Sequence, residues 1–134
     1  MILVDAGPLY AVVDDGDQYH TACTAALQSV SEQMGTVWPV LAEVMYLLRR
    51  YPQGQEAVWD MISRGGVKLF ELGPADIPRI RELMRKYSDR PMDLADAALI
   101  RVAEREGIQK IFTVDRQDFA VYRLHGALRF RIIP

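Results

Sequence analysis

Apolar residues in this chain fall into two kinds of run that alternate from end to end. The first kind is short and rich in β-branched and aromatic residues: Ile2-Leu3-Val4, Thr36-Val37-Trp38, Val67 to Leu72, Lys110 to Val114 and Phe130 to Ile133. Runs of that length, bounded by Gly, Pro or Asp, predict buried strands. The second kind is longer and carries helical spacing. It predicts helices over Pro8–Val13, Gln18–Ser31, Pro39 to Arg50, Gln53–Ser63, Pro74–Tyr87 and Pro91–Glu104, with a short turn or helix at Asp118-Phe119. Asp14-Asp15-Gly16, Gly35, Tyr51-Pro52, Gly65-Gly66 and Gly107 read as breaks, and Asp17 as the cap of the second helix. That helix puts Tyr19, Ala22, Cys23, Ala26, Leu27 and Val30 on one face.

Strand runs that alternate with helices, and that are apolar rather than alternating in polarity, predict a parallel sheet covered on both faces. The expected fold class is α/β, a three-layer α/β/α sandwich around a parallel sheet of about five strands, formed by residues 1–134 as one domain. No internal repeat, low-complexity segment or linker interrupts it. In such sheets ligands bind outside the carboxyl ends of the strands, where the strand order reverses.

One helix stands out. In Pro91–Glu104, PMDLADAALIRVAE, the residues from Leu94 to Ala103 are apolar except for Asp96 and Arg101. An Asp inside so apolar a helix is a poor helix former, and an unpaired buried carboxylate is costly. Asp93 lies one helical turn earlier on the same side. The simplest explanation is capping, with Asp93 as the N-cap and Asp96 as the N3 residue of a weak capping box.

Three further acids weaken that explanation. Asp5 ends the first strand, Asp115 follows the fourth, and Glu43 lies about one turn into the helix after the second. Each has its own plain reading: Asp5 as a cap, Asp115 as a turn residue, Glu43 as a surface acid. In a doubly wound fold, however, all three meet Asp96 at the carboxyl edge of the sheet. Clustered carboxylates repel unless a cation lies among them, and an oxygen-rich, thiol-free set suits Mg²⁺ or Mn²⁺.

Composition adds limits. Half the residues are hydrophobic, a quarter are charged and the formal charge is −2, so a nucleic-acid partner would be held by local basic patches and not by overall charge. A single cysteine, Cys23, allows no internal disulfide, and MILVDAG lacks the pattern of a secretory signal; a cytoplasmic protein is expected, with no membrane partner.

The segments ILVDAGPLYAVVDDGDQYH, VWPVLAEVMYLL, MDLADAALIRVAE and FTVDRQDF resemble, in order and over nearly the whole chain, the PIN-domain family. Within it they resemble the VapC-type toxin ribonucleases of bacterial and archaeal toxin–antitoxin pairs. The resemblance implies that Asp5, Glu43, Asp96 and Asp115 form an acidic metal site. Asp93 and Asp118 match the family's frequent extra acids, and Thr113 its small polar residue. It also implies an Mg²⁺- or Mn²⁺-dependent endoribonuclease, an RNA substrate, a homodimer and a small VapB-type antitoxin. Two other readings keep the fold: a solitary PIN nuclease in RNA processing, and a non-catalytic PIN-like module that binds RNA or a partner.

Other α/β proteins with an Asp after the first strand fit less well. A haloacid-dehalogenase phosphatase needs an acid where Gly7 stands, and a receiver domain needs an Asp after the third strand, where Glu71-Leu72-Gly73 stands. Of the basic residues, Arg90 and Arg116 flank the acidic segments and are the preferred RNA contacts over Arg49, Arg50, Arg79 to Lys86, Arg123, Arg129 and Arg131. Of the aromatics Trp38, Trp59, Tyr87 and Phe119, all are expected in the core except Tyr87, the candidate for stacking on an unpaired base. His20 and His125 are given no catalytic role. The apolar surplus over Val40 to Leu48, and in the Gln53–Ser63 helix with Trp59, supports the dimer.

Overall fold

The computed structural model describes residues 1–90 and 92–134; Pro91, the expected opening of the acid-bearing helix, lies outside them. Five strands form one sheet: β1 (Ile2–Val4), β2 (Met34–Val37), β3 (Val67–Phe70), β4 (Lys110–Phe112) and β5 (Arg131–Ile133). Every pair is parallel and the order is β3-β2-β1-β4-β5. The crossovers carry α1 (Ala6–Val13), α2 (His20–Ser29), α3 (Trp38–Leu47), α4 (Pro52–Ser63), α5 (Ile77–Lys86), α6 (Leu94–Glu106) and α7 (Arg116–Val121). The chain steps from β1 to β2 to β3 in one direction, then returns past β1 to β4 and β5. With crossovers of one hand, that return puts α5 and α6 on the face opposite α1. The expected α/β/α sandwich results, with its switch point between β1 and β4.

Ile2, Leu3 and Val4 of the central strand are all buried, as are Ala97 to Ile100 and Val102 of α6. Strands this fully covered have no solvent face, which is why their sequence shows no alternation. Gly107 takes a left-handed conformation (φ 68°) and closes α6, as its sequence position suggests. Among the described residues, no helix is long and apolar enough to cross a membrane.

Several boundaries differ from expectation. Gly35 is inside β2 instead of ending the preceding helix: a Cβ there would lie 2.4 Å from Phe70 of β3, so close strand-to-strand packing demands the glycine. The helix before it ends at Ser29. Asp17 does not cap α2; its carboxylate accepts from the Tyr19 N–H (2.9 Å) within a turn, and α2 starts at His20 with Tyr19 and Ala22 exposed. Trp38 starts α3 instead of ending β2, and α3 stops at Leu47, before Arg49 and Arg50. Pro52 opens α4 at a first-turn position, where its missing N–H costs nothing.

The pairing of α5 with α6 removes Arg79 from the candidate RNA contacts. Arg79 does not lie on a free outer face. Its Nε and Nη2 donate to the two oxygens of Glu104 (2.8 and 2.7 Å), whose side chain is buried. Arg101 and Arg105 donate to Asp76, itself buried, at 2.7 and 3.1 Å. Since Asp76 precedes α5 and Arg101 to Arg105 end α6, the two helices run antiparallel.

Candidate active site

The acids reach the carboxyl edge by four routes. Asp5 follows β1 and is the N-cap of α1: its Oδ1 accepts from the Ala6 N–H (2.8 Å) and its Oδ2 from the Thr113 hydroxyl (2.9 Å). Thr113, fully buried after β4, also accepts from the Asp115 N–H (3.0 Å), so one hydroxyl ties the ends of β1 and β4 together. Asp115 is the N-cap of α7 and accepts from the Asp118 N–H (3.2 Å). Asp93 is the N-cap of α6 and accepts from the Asp96 N–H (2.9 Å). Thus three of the acids also cap helices, and the plain readings are half right. Capping does not account for Asp96. Its carboxylate does not return to the N-cap but accepts from the Tyr122 hydroxyl (2.8 Å). Glu43 projects from an exposed position on α3.

The electrostatics show one connected group. Burial, and the charges of Asp93 and Asp115, hold Asp5 above its ordinary value despite the bonds from Ala6 and Thr113. Burial and the charges of Asp93, Asp5 and Asp115 push Asp96 up to about 8, against the Tyr122 bond. Although Glu43 is exposed, the chain around its carboxyl partly desolvates it, and this, then the charges of Asp5 and Asp93, raises it. Burial raises Asp115, and Asp118 adds to the rise. Among the described residues, none of Asp5, Glu43, Asp93, Asp96 or Asp115 has a salt bridge. The nearby guanidinium of Arg90 is paired with Asp118 (2.7 Å).

The donor set is all oxygen. Cys23 is buried in α2, the His20 Nδ1 is 2.6 Å from the Ala11 carbonyl, and His125 lies 3.5 Å from Glu104 beyond the far end of α6. Carboxylate oxygens suit a hard divalent cation. Among the described residues, no three acidic, His or Cys side chains are gathered into a formed metal shell.

Residues 2–124 match the PIN domain family. The chain belongs to that family. This PIN domain is 30% identical to Ribonuclease VapC26 of Mycobacterium tuberculosis, over 99% of its own length and 100% of the relative's. Among solved structures it resembles the Mycobacterium tuberculosis toxin VapC20, described as cleaving the sarcin–ricin loop, with a TM-score of 0.80 at 21% identity over 87% of this chain and 92% of that one. VapBC2 from Rickettsia felis, bound to promoter DNA, matches over 100% of both chains with a TM-score of 0.68 at 12% identity. A toxin–antitoxin complex from Klebsiella pneumoniae covers 90% of this PIN domain and 92% of its own chain, with a TM-score of 0.68 at 19% identity.

The flanking residues correct the aromatic reading. Tyr87 is buried, not available for stacking; its hydroxyl accepts from the Arg123 N–H (3.1 Å) and its ring meets Tyr122 edge to face. Trp38, expected in the core, is 55% exposed beside the acids, in a depression shared with Glu43, Asp93 and Leu94, and Trp59 is also exposed. Phe119 is buried as expected. Arg116 bonds the Pro134 carbonyl. Sequence reasoning missed Tyr122. It lies in no motif, and its link to Asp96 joins residues 26 positions apart.

Proposed function

We propose that residues 1–134 form one PIN-like unit that acts in the cytoplasm as a divalent-metal-dependent endoribonuclease, the toxin of a VapBC-type pair. The observation that carries this is the chain-long likeness to a VapC ribonuclease, and the acidic edge at the switch point supports it. In this reading Asp5, Glu43, Asp96 and Asp115 hold Mg²⁺ or Mn²⁺, with Asp93 and Asp118 as outer acids. Bound there, the ion would polarise the phosphodiester, lower the pKa of an attacking water and stabilise the leaving oxygen. The chain's own residues supply the frame. Thr113 fixes the Asp5 carboxylate and the start of the Asp115 turn, and the N-termini of α1, α6 and α7 direct N–H groups toward the same edge. In this reading Arg90, paired with Asp118 through space, and Arg116, next to Asp115 in the chain, meet the RNA backbone.

The partner half of the proposal is a homodimer that binds a small VapB-type antitoxin. Val40, Leu41 and Val44 of α3 and Leu48 just after it fill the core, while Tyr46 and Leu47 are 64% and 45% exposed. In this reading that exposed pair belongs to the association face.

The test is cleavage of single-stranded RNA by the purified protein with Mg²⁺ or Mn²⁺, beside an Asp5→Asn control. Divalent-dependent cutting that the control lacks is expected. Robust cutting in excess chelator would overturn the reading, and monomeric light scattering at micromolar concentration would remove the dimer.

A further inference from the structure

Asp96 is held by a residue outside every motif. Tyr122 follows α7, is fully buried, and donates its hydroxyl to Asp96 Oδ2 at 2.8 Å. Its ring is gripped on two sides. Tyr87 meets it edge to face with centroids 5.1 Å apart, and Phe119 does so at 5.2 Å. Phe119 in turn packs on Phe130 at 5.6 Å. The Tyr87 hydroxyl makes a separate bond, accepting from the N–H of Arg123, and does not reach Asp96.

This mount does more than fill space. Packing among four rings needs only phenyl groups, and a buried hydroxyl is unfavourable unless it is bonded. Here the hydroxyl spends its proton on a carboxylate of the acid edge. Asp96 has two freely rotating side-chain bonds, and the capping geometry of α6 does not hold it. No other hydrogen bond to its carboxylate occurs among the described residues. We infer that Tyr122 is a positioning residue: by anchoring Oδ2, it fixes the rotamer of Asp96 and aims Oδ1 at the shared edge, where a divalent cation is taken up. Asp5 has the corresponding support from Ala6 and Thr113. Removing a group that orients a metal ligand typically weakens metal binding by roughly 10–100-fold.

The inference rests on the reading of the acid edge as a divalent-ion site, and the experiment separates the two. Mn²⁺ is titrated into the whole chain, and the rise in melting temperature gives the half-saturating concentration. A wild-type melt that ignores Mn²⁺ overturns both. If the wild type responds, Tyr122→Phe should need roughly tenfold more Mn²⁺ for the same rise. Its RNA cleavage should return toward the wild-type rate once Mn²⁺ is saturating. Tyr87→Phe removes a hydroxyl from the same ring cluster without touching Asp96, and should leave the half-saturating Mn²⁺ unchanged. A Tyr122→Phe protein with the wild-type half-saturation overturns the positioning role. So does a Tyr87→Phe protein with an equal shift, since general loosening then suffices. Should Tyr122→Phe melt too low for a thermal shift, Mn²⁺ binding to the folded protein is read in the cold by the electron paramagnetic resonance of the free ion. Roughly tenfold weaker binding is expected, and a wild-type affinity overturns the positioning role.

Discussion

The two ends of α6 hold acids in opposite states. At its C-terminal end, Asp76 and Glu104 are buried against guanidinium groups: Arg101 and Arg105 on one, Arg79 on the other. Burial alone would raise Asp76, but the Gly73 N–H and the two arginines outweigh it and hold the carboxyl below its ordinary value. At its N-terminal end, Asp5 is comparably buried and Asp96 partly so, and both are held above the ordinary value, with further carboxylates for neighbours. Burial is therefore not what distinguishes them; the sign of the surrounding charge is. A buried ion pair that is complete serves the fold and asks for nothing more. A carboxylate group without its counter-charge lowers stability, and such groups cluster at functional sites.

The sharpest way to break this contrast is to neutralise one acid at each end. Asp96→Asn should lower RNA cleavage by at least about a hundredfold, a loss of roughly 2.7 kcal/mol in transition-state stabilisation, while the protein in chelator melts at or above the wild type. An assay at the wild-type rate would refute the site. Asp76→Asn should do the reverse: a loss of roughly 2–4 kcal/mol from leaving two arginines without their acid, read as a lower denaturant midpoint, with cleavage retained where the protein is folded.

Metal should separate the ends next. A ligand at a hundred times its dissociation constant adds about 2.7 kcal/mol, which at roughly 3 °C per kcal/mol is a rise of about 8 °C for a chain of this size. Saturating Mn²⁺ should raise the wild type and the Asp76→Asn protein by similar amounts, and Asp96→Asn by little. An equal rise in all three would show that the ion binds elsewhere.

A smaller effect follows from protons. With its folded pKa raised to about 8, Asp96 binds more protons folded than unfolded between its ordinary value and that pH. Its contribution is complete at low pH and is lost as pH rises through about 8. The chelated protein should therefore lose stability from about pH 5 to pH 8, and Asp96→Asn should flatten the decline; the slope in denaturant melts at several pH values decides it. Asp76, lowered, has the opposite sign and adds its loss only in acid.

The smallest effect is expected at Arg90, whose pair with Asp118 is one-third exposed on both sides. Arg90→Ala should cost at most about 1 kcal/mol. It should reduce the salt dependence of RNA binding by about one counterion. An unchanged salt slope would remove Arg90 from the RNA path.

Much was legible in the sequence because it is written locally. Short apolar runs between turn residues specify a covered parallel sheet whatever lies around them, and Asp5, Asp96 and Asp115 take their places at its edge from their positions at the ends of strands and the start of a helix. Gly107 stops α6 through its own backbone freedom. What the sequence left undetermined depends on partners far along the chain. Gly35 is required by Phe70 on the next strand, Arg79 turns inward because Glu104 is there to meet it, and Tyr87 goes inside because Tyr122 needs a wall. Trp38 and Tyr87 exchange their expected places for the same reason: an aromatic residue has no periodic signature of its own, so burial is decided by which neighbours arrive. The bond from Tyr122 to Asp96 is the fullest case, since neither residue's surroundings in the chain indicate the other, and only folding brings the hydroxyl within 2.8 Å of the carboxylate.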